Sequence, residues 1–332
     1  MAPPRRVTIV DLAAETGLSV SSVSVALRGD PGVSERSRAL VREAADRLGY
    51  RPDRRARGLR EHRSHLVGVT FWLHQTFHSA LVESLYAALA DTPYDLVLSG
   101  TTPQRSVLDA VESLRHERCD AVLLISPDVD ATALAGIASR VPTVLLGSDL
   151  TAPGAEVARA DDAAGMSAVV EHLVGAEHRR VCFVDGGDAA MSVGRRHGYE
   201  LAARSAGLDL DVLPGYPTEE AGVAAAHALL ARSELPTAVV THNDMMAIGL
   251  LLTLRAQGVR VPQDVSVVGY DDTRMSALTT IGLTTVSQEP EQLAAAAIRR
   301  AIARAEGDPP QEAPIVVTPR LVVRSTTAPP RV

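Results

Sequence analysis

The sequence predicts a small all-α helix-turn-helix headpiece, a short hinge, and an α/β body of two doubly wound parallel-sheet lobes. Three observations predict this. The first fifty residues read as three capped helices, residues from Leu66 onward alternate short β-branched runs with helix-period segments, and that alternation restarts after Gly165. With 332 residues, 46% apolar and 22% charged, the chain holds enough apolar material for two or three cores.

Thr8 is placed to N-cap Ile9, Val10 and Asp11, with Asp11 as the acidic partner of a capping box. The apolar set Val10, Leu12, Ala13 and Ala14 then runs to a stop at Gly17. Ser19 is the next N-cap. Although serine and valine nearly alternate after it, Val23, Ala26 and Leu27 recur at i, i+3 and i+4, which is a helical face and not a strand face. Gly29-Asp30-Pro31-Gly32 breaks the chain, and Ser34 caps a third helix over Glu35–Leu48, with Leu40, Val41, Ala44, Ala45 and Leu48 inward and Gly49 ending it.

In the body, LVGVTF, YDLVLS, AVLLIS and TVLLG read as strands, with helices over 79–91 and 105–118 and a shorter one later. VCFVDG at 181–186, AVVTHN at 238–243 and VSVVGYDD at 265–272 repeat the theme. An alanine-rich helix over Pro290–Glu306 and the strand-like IVVTPRLVVR complete the lobes, which are therefore joined by several crossings. The expected boundaries are 1–50 for the headpiece, 51–63 for the hinge, 64–160 with 289–313 for the first lobe, and 161–288 with 314–332 for the second.

The net charge of -7 conceals an asymmetry: residues 1–63 carry thirteen arginines against eight acids, a net +5, and the rest of the chain carries -12. A basic module on an acidic body points to a polyanionic partner for the module alone. All 33 cations are arginines. Cys119 and Cys182 lack the spacing of a zinc site or redox pair and read as buried thiols. Enzyme classes find no foothold: there is no nucleophile with a base and no phosphate loop, and DGGD at 185–188 lacks the GxGxxG continuation. His62, His65, His74 and His78 fit no metal spacing, and the pairs Asp161-Asp162 and Asp271-Asp272 are as often helix caps as acid-base groups. No enzyme, cofactor or metal is expected. No window reaches the ~18 uncharged apolar residues of a bilayer span, and Asp11 precedes any signal-peptide core, so a cytoplasmic protein without membrane contact is expected.

The runs VTIVDLAAETGLSVSSVSVAL and GVSERSRALVREAADRLGYRPD, then EHRRVCFVDGG and RRHGYELA, then THNDMMAIGLLLTLRAQGVRVPQDVSVVGYDD and LTTVSQ, stand in one order along residues 7–327. Through them the chain resembles the LacI/GalR family of bacterial transcriptional regulators. The resemblance implies a periplasmic-binding-protein-like body and a homodimer, with a tetramer left open. It implies repression of a metabolic, carbohydrate-utilisation operon, with affinity for double-stranded operator DNA controlled by a small-molecule effector, a sugar or related metabolite.

On the same basis, Thr8, Ser19, Ser22, Ser24, Ser34, Ser37 and Arg28 match phosphate-contacting positions, and Val20, Ser21 and Val25 match base-reading ones. Val25 stands where many relatives carry arginine and has no bidentate contact to offer guanine. In the hinge, Asp53 would cap a helix holding Ala56, Arg57 and Leu59, with Leu59 matching the leucine that wedges between base pairs. Four arginines and Gly58 in that stretch oppose an isolated helix, so ordering awaits phosphates. Phe77, His78, Arg195, Asn243, Asp271 and Gln288 match effector-contacting positions. Gly147 and Pro217 depart from residues common in sugar-responsive relatives, leaving Trp72, Phe77 and Tyr216 as the rings near a cleft. The competing readings are a solute-binding or sugar-processing protein on the same body, which needs no headpiece, and a non-specific nucleoid protein, which needs no effector.

Overall fold

The computed structural model describes residues 7–50, 63–187 and 192–331. Asp53, Ala56, Arg57 and Leu59 of the expected hinge, and His62, lie outside the described residues. The chain divides into two units, Met1–Ser64 and His65–Val332.

The first unit contains α1 (Ile9–Thr16), α2 (Val20–Arg28) and α3 (Glu35–Leu48). Thr8 closes a capping box, its own N–H donating to Asp11 at 2.7 Å, while the Ser19 and Ser34 hydroxyls accept from Ser22 N and Ser37 N at 3.1 and 3.2 Å. Gly17, Gly29 and Gly49 end the three helices in the left-handed conformation. Leu12, Ala13, Val23, Ala26, Val41 and Ala45 form the core, and Arg38 ties down the α2–α3 turn by donating to the Asp30 carbonyl at 2.8 Å. Leu40, expected inward, is 45% exposed, and Val10 is 60% exposed. Each lies about 100° around its helix from a neighbour that points inward or sideways, and three short helices have nothing left to cover that face.

The second unit begins with β1 (Leu66–Trp72), α4 (Thr76–Leu89), β2 (Asp95–Thr101), α5 (Val107–His116), β3 (Ala121–Ile125), α6 (Ala131–Ala138), β4 (Thr143–Leu146) and β5 (Ala155–Ala160). It continues with α7 (Asp162–Gly175), β6 (Val181–Val184), α8 (Ser192–Ser205), β7 (Asp211–Leu213), α9 (Glu219–Leu230), β8 (Ala238–Thr241), α10 (Asp244–Ala256), β9 (Ser266–Val268) and β10 (Thr285–Ser287). It ends with α11 (Pro290–Glu306), β11 (Ile315–Val317) and β12 (Arg320–Val322).

The first lobe's sheet is parallel in the order β11-β5-β4-β3-β1-β2, and the second lobe's is parallel in the order β7-β6-β8-β9. Both begin from the same doubly wound pattern, with the strand order reversing beside β1 in one and β6 in the other. β10 and β12 make an antiparallel pair, and Thr284 bridges to Val268, which joins that pair to the second sheet.

Three segments cross between lobes: β5 to α7, β10 to α11, and β11 to β12. The expected boundary at 313/314 is therefore displaced. Ile315–Val317 pairs with β5 in the first sheet, and the chain changes lobe only between Val317 and Arg320. Three strands escaped the sequence reading, β5, β7 and the three-residue β10. β5 is interrupted by Glu156 and Arg159, and β7 is three residues long. Glu156 is tolerated at 2% exposure because Arg300 of α11 donates to it at 2.5 Å.

In the second lobe α9 and α10 cross at a pair of glycines. A Cβ on Gly222 would stand 2.1 Å from the Met246 carbonyl oxygen, and one on Gly249 would stand 2.1 Å from that of Glu219. Both obstacles are backbone, so neither can swing aside. Gly222→Ala and Gly249→Ala are each expected to destabilise the body by about 1–3 kcal/mol in denaturant melts. Gly136→Ala is the control: its Cβ meets nothing within 4 Å, and helix propensity alone favours alanine.

Candidate DNA-reading surface and ligand cleft

On α2, Val23 and Ala26 are buried while Val20 is 44% exposed and Ser21 is exposed beside it; Ser24 and Val25 are half-buried on the same outward side. Thr8, Ser19 and Ser34 all sit at N-caps, with Ser22 and Ser37 one turn on. Three helix N-termini thus offer backbone N–H groups and hydroxyls of the kind that hold phosphate. They are not equivalent. α1 and α3 carry Asp11 and Glu35 in their first turns, whereas α2 carries no acid there, so its end of the dipole is unopposed. Arg28 closes α2.

Within the second unit, a cleft of about 650 Å³ opens between the lobes at the carboxyl ends of their strands, where doubly wound sheets bind ligands. From the first lobe it is lined by Trp72 at the end of β1, by Phe77 and His78 in the first turn of α4, and by Ser126 after β3. From the second come Arg195 on α8, His242 and Asn243 after β8, Asp271 after β9, and Tyr216 and Pro217 before α9. Gln75, the N-cap of α4, makes no capping bond and instead donates across the cleft to the Pro217 carbonyl at 3.0 Å.

His78 is 3% exposed, and its Nδ1 accepts from the Trp72 backbone N–H at 3.1 Å. Burial first, and the Arg195 charge second, lower its pKa to about 3. The ring is neutral, and with Nδ1 accepting, the proton sits on Nε2.

Arg195 is 1% exposed, and every nitrogen of its guanidinium is engaged. Nε donates to Asp162 at 3.4 Å, Nη1 to the His242 carbonyl at 2.8 Å and Nη2 to Asp271 at 3.3 Å, while the plane lies 4.0 Å over the Tyr270 ring. Burial opposes its charge, yet the two carboxylates hold its pKa above the ordinary arginine value. Asp271 has the opposite problem: burial pushes its carboxyl up to about 7 against the pull of Arg195. Its backbone is left-handed, φ 116°, an arrangement secured by Arg195 and by Gln288, which donates to it at 2.7 Å. Behind it Asp244 accepts from Thr285 Oγ1 at 2.6 Å and Thr273 N at 2.7 Å, pinning the loop that carries Asp271.

Of the six ligand residues expected from sequence, five line the cleft. Gln288 does not; it lines a smaller niche with Gly147, Ser148 and Asp162 and acts on Asp271 from behind. Asn243 lines the cleft but is also the N-cap of α10, its Oδ1 accepting from Met246 N at 3.0 Å. Sequence reasoning missed Gln75, Ser126, Asp128 and above all His242. That ring is 3% exposed, its pKa is driven down by burial and by Arg195, and its Nδ1 has no partner among the described residues. The available signal was its place directly after a buried strand and before a helix cap. Among the described residues no group of histidine, cysteine and acidic side chains could hold a metal, and no single helix is long and apolar enough to cross a membrane.

The depressed His78 pKa has a signed consequence. Between about 6.5 and 3 the unfolded ring takes up a proton that the folded site refuses, so its contribution to stability is present above 6.5 and lost as pH falls. His78→Asn keeps an acceptor for the Trp72 N–H and removes the titration. The stability of the wild type relative to this variant is expected to fall from pH 7 to pH 4, by at most about 1.4 kcal/mol per pH unit, in parallel melts.

Residues 8–53 match the model of bacterial regulatory proteins of the lacI family, and residues 170–327 match that of a periplasmic binding protein-like domain. The HTH-type transcriptional regulator MalR of Streptomyces coelicolor is 35% identical over 96% of either chain, and GalR of Escherichia coli K12 is 30% identical over 97% of this chain and 96% of its own. A lac repressor dimer bound to operator and the anti-inducer ONPF, 26% identical, superposes with a TM-score of 0.84 over 98% of this chain and 100% of that one. A complex of the regulator CelR with cellobiose, 29% identical, does so with a TM-score of 0.71 over 97% and 100%. The headpiece match sets aside the solute-binding and sugar-processing alternatives, since those need no such unit. With a capped helix-turn-helix ahead of a two-lobed body, and identity running through both, the chain belongs to the LacI family of bacterial transcriptional regulators and is not an enzyme.

Proposed function

We propose that this regulator works in the cytoplasm as a homodimeric repressor of a carbohydrate-utilisation operon, and that a sugar or related metabolite held between its lobes sets its operator affinity. The observation that carries this reading is the buried Arg195–Asp271 fork set into the wall of an interlobe cleft, in a chain that also bears a capped helix-turn-helix. The relatives solved with operator DNA and with cellobiose support it.

In this reading Thr8, Ser19, Ser22, Ser24, Arg28, Ser34 and Ser37 hold phosphates, and Val20, Ser21 and Val25 face base edges. Asp53, Ala56, Arg57 and Leu59 form the hinge, with Leu59 as the wedge that kinks the duplex. The cleft offers a hydroxyl-rich ligand a donor in His78 Nε2–H, an acceptor in Asp271, and the Trp72 and Tyr216 rings for stacking. Phe77 and Asn243 complete the wall, and Gln288 orients Asp271. Because three segments cross between lobes, ligand-driven closure acts on all of them together, and the Gln75–Pro217 bond is one contact that depends on lobe separation.

Footprinting on a genomic fragment library, with and without a panel of mono- and disaccharides that includes cellobiose and ribose, tests the proposal. Protection of discrete sites that one sugar alters is the expected result; uniform, sugar-insensitive coating would instead support a nucleoid protein. Deletion of residues 1–61 is expected to abolish site-specific binding while the remaining unit still melts cooperatively and binds sugar by calorimetry. Asp271→Asn is expected to leave operator affinity within about twofold and to weaken the response to sugar by about ten- to a hundredfold, the worth of a hydrogen bond to a charged group.

A further inference from the structure

The outward face of α2 is chemically unusual for a surface that reads bases. It exposes the apolar Val20, at 44%, and the half-buried Val25 follows five residues later, about 140° further round the helix and likewise off the buried face of Val23 and Ala26. The intervening hydroxyls are already engaged. Ser19 Oγ accepts from Ser22 N and lies 2.8 Å from both Ser21 Oγ and Ser22 Oγ, so three hydroxyls form one local cluster at the start of the helix. Val23 and Ala26 are committed to the core. What α2 presents outward, apart from its closing residue, is therefore branched methyl groups flanked by hydrogen-bonded serines.

A charged duplex is the partner this face suits. Residues 1–63 carry a net +5, and the N-terminus of α2 has no acid in its first turn to repel a phosphate. In the major groove only one base offers an apolar group at its edge, thymine with its C5-methyl. Val20 and Val25 stand about 7.5 Å apart along the axis of α2, the length of roughly two base-pair steps.

We propose that this regulator reads its operator half-site by methyl-to-methyl contact, Val20 and Val25 each packing on a thymine C5-methyl, in place of hydrogen bonds from long polar side chains. The proposal rests on the operator-binding reading above and specifies the class of base that α2 selects. A guanine at either position would present two acceptors that valine leaves unpaired.

The test begins with selection of binding sites by the full-length protein from a randomised duplex library, followed by titration of the selected site with deoxyuridine replacing thymine one position at a time. Deoxyuridine keeps every hydrogen bond and removes only the methyl. Expected are two thymines per half-site whose replacement weakens binding about fourfold each, the worth of one buried methyl. In Val20→Ala one of these penalties should shrink towards nothing, and in Val25→Ala the other, with melting temperatures unchanged because both side chains lie outside the buried core. Val25→Arg should move the preference at its position from thymine to guanine. A selected half-site whose affinity is unmoved by every deoxyuridine replacement overturns the methyl contact and leaves operator binding standing. A library that yields no enriched sequence overturns both.

Discussion

Burying Arg195 is the constraint on which the ligand-facing half of the body depends. Removing a guanidinium from water is expensive by several kcal/mol unless its charge and donors are all met. Here its charge and one donor on each of its three nitrogens are met by groups from separate places in the chain: Asp162 at the start of α7, the His242 carbonyl after β8, Asp271 after β9, and the Tyr270 ring beneath. Tyr270 in turn donates to Asp162 at 2.9 Å. No member can shift without stranding a buried charge. The cluster therefore fixes the ends of two strands and two helices against one another, and the left-handed Asp271 survives because it is overdetermined from three sides.

The same charge conditions both walls of the cleft. Arg195 adds to the burial that keeps His78 and His242 neutral, so two imidazoles that would otherwise titrate near physiological pH become fixed hydrogen-bonding groups. A cleft made this way is pre-organised, because its donors and acceptors are oriented before a ligand arrives. Its position follows from topology. Both sheets reverse strand order beside their first strand, both leave a crevice there, and the three crossings hold the two crevices face to face.

How much of this was legible in the sequence depended on the range of the interaction. Helix caps are local, so Thr8 with Asp11, Ser19 before Val20 and Ser34 before Glu35 could be read with their boundaries, as could Pro290–Glu306 with Gly307 after it. β5 could not, because the acid in its apolar run is neutralised by Arg300, 144 residues away. The assignment of Ile315–Val317 was likewise beyond periodicity: three apolar residues do not say which sheet edge they join. In the cleft, family spacing located Arg195 and Asp271, but it did not reveal that Gln288 works from behind or that His242 forms part of the wall. Those facts arise where chain segments converge, and no local pattern encodes them.

The headpiece shows a division of labour that its composition hides. Serine recurs through residues 19–24 and could be taken for a set of interchangeable contacts, yet the hydroxyl network is anchored on one atom, Ser19 Oγ, that also starts the helix. The groups that shape the N-terminus of α2 are therefore the groups nearest any phosphate docked there, and folding and phosphate binding draw on the same geometry. Val20 and Val25 are spared both tasks, since neither caps the helix nor belongs to the core cluster. Electrostatic attraction, which is blind to sequence, is concentrated in the caps and arginines; discrimination falls to the few side chains that structure leaves free. A helix organised in this way can change what it reads by substitution at Val20 or Val25 without disturbing how it folds or how it grips the backbone.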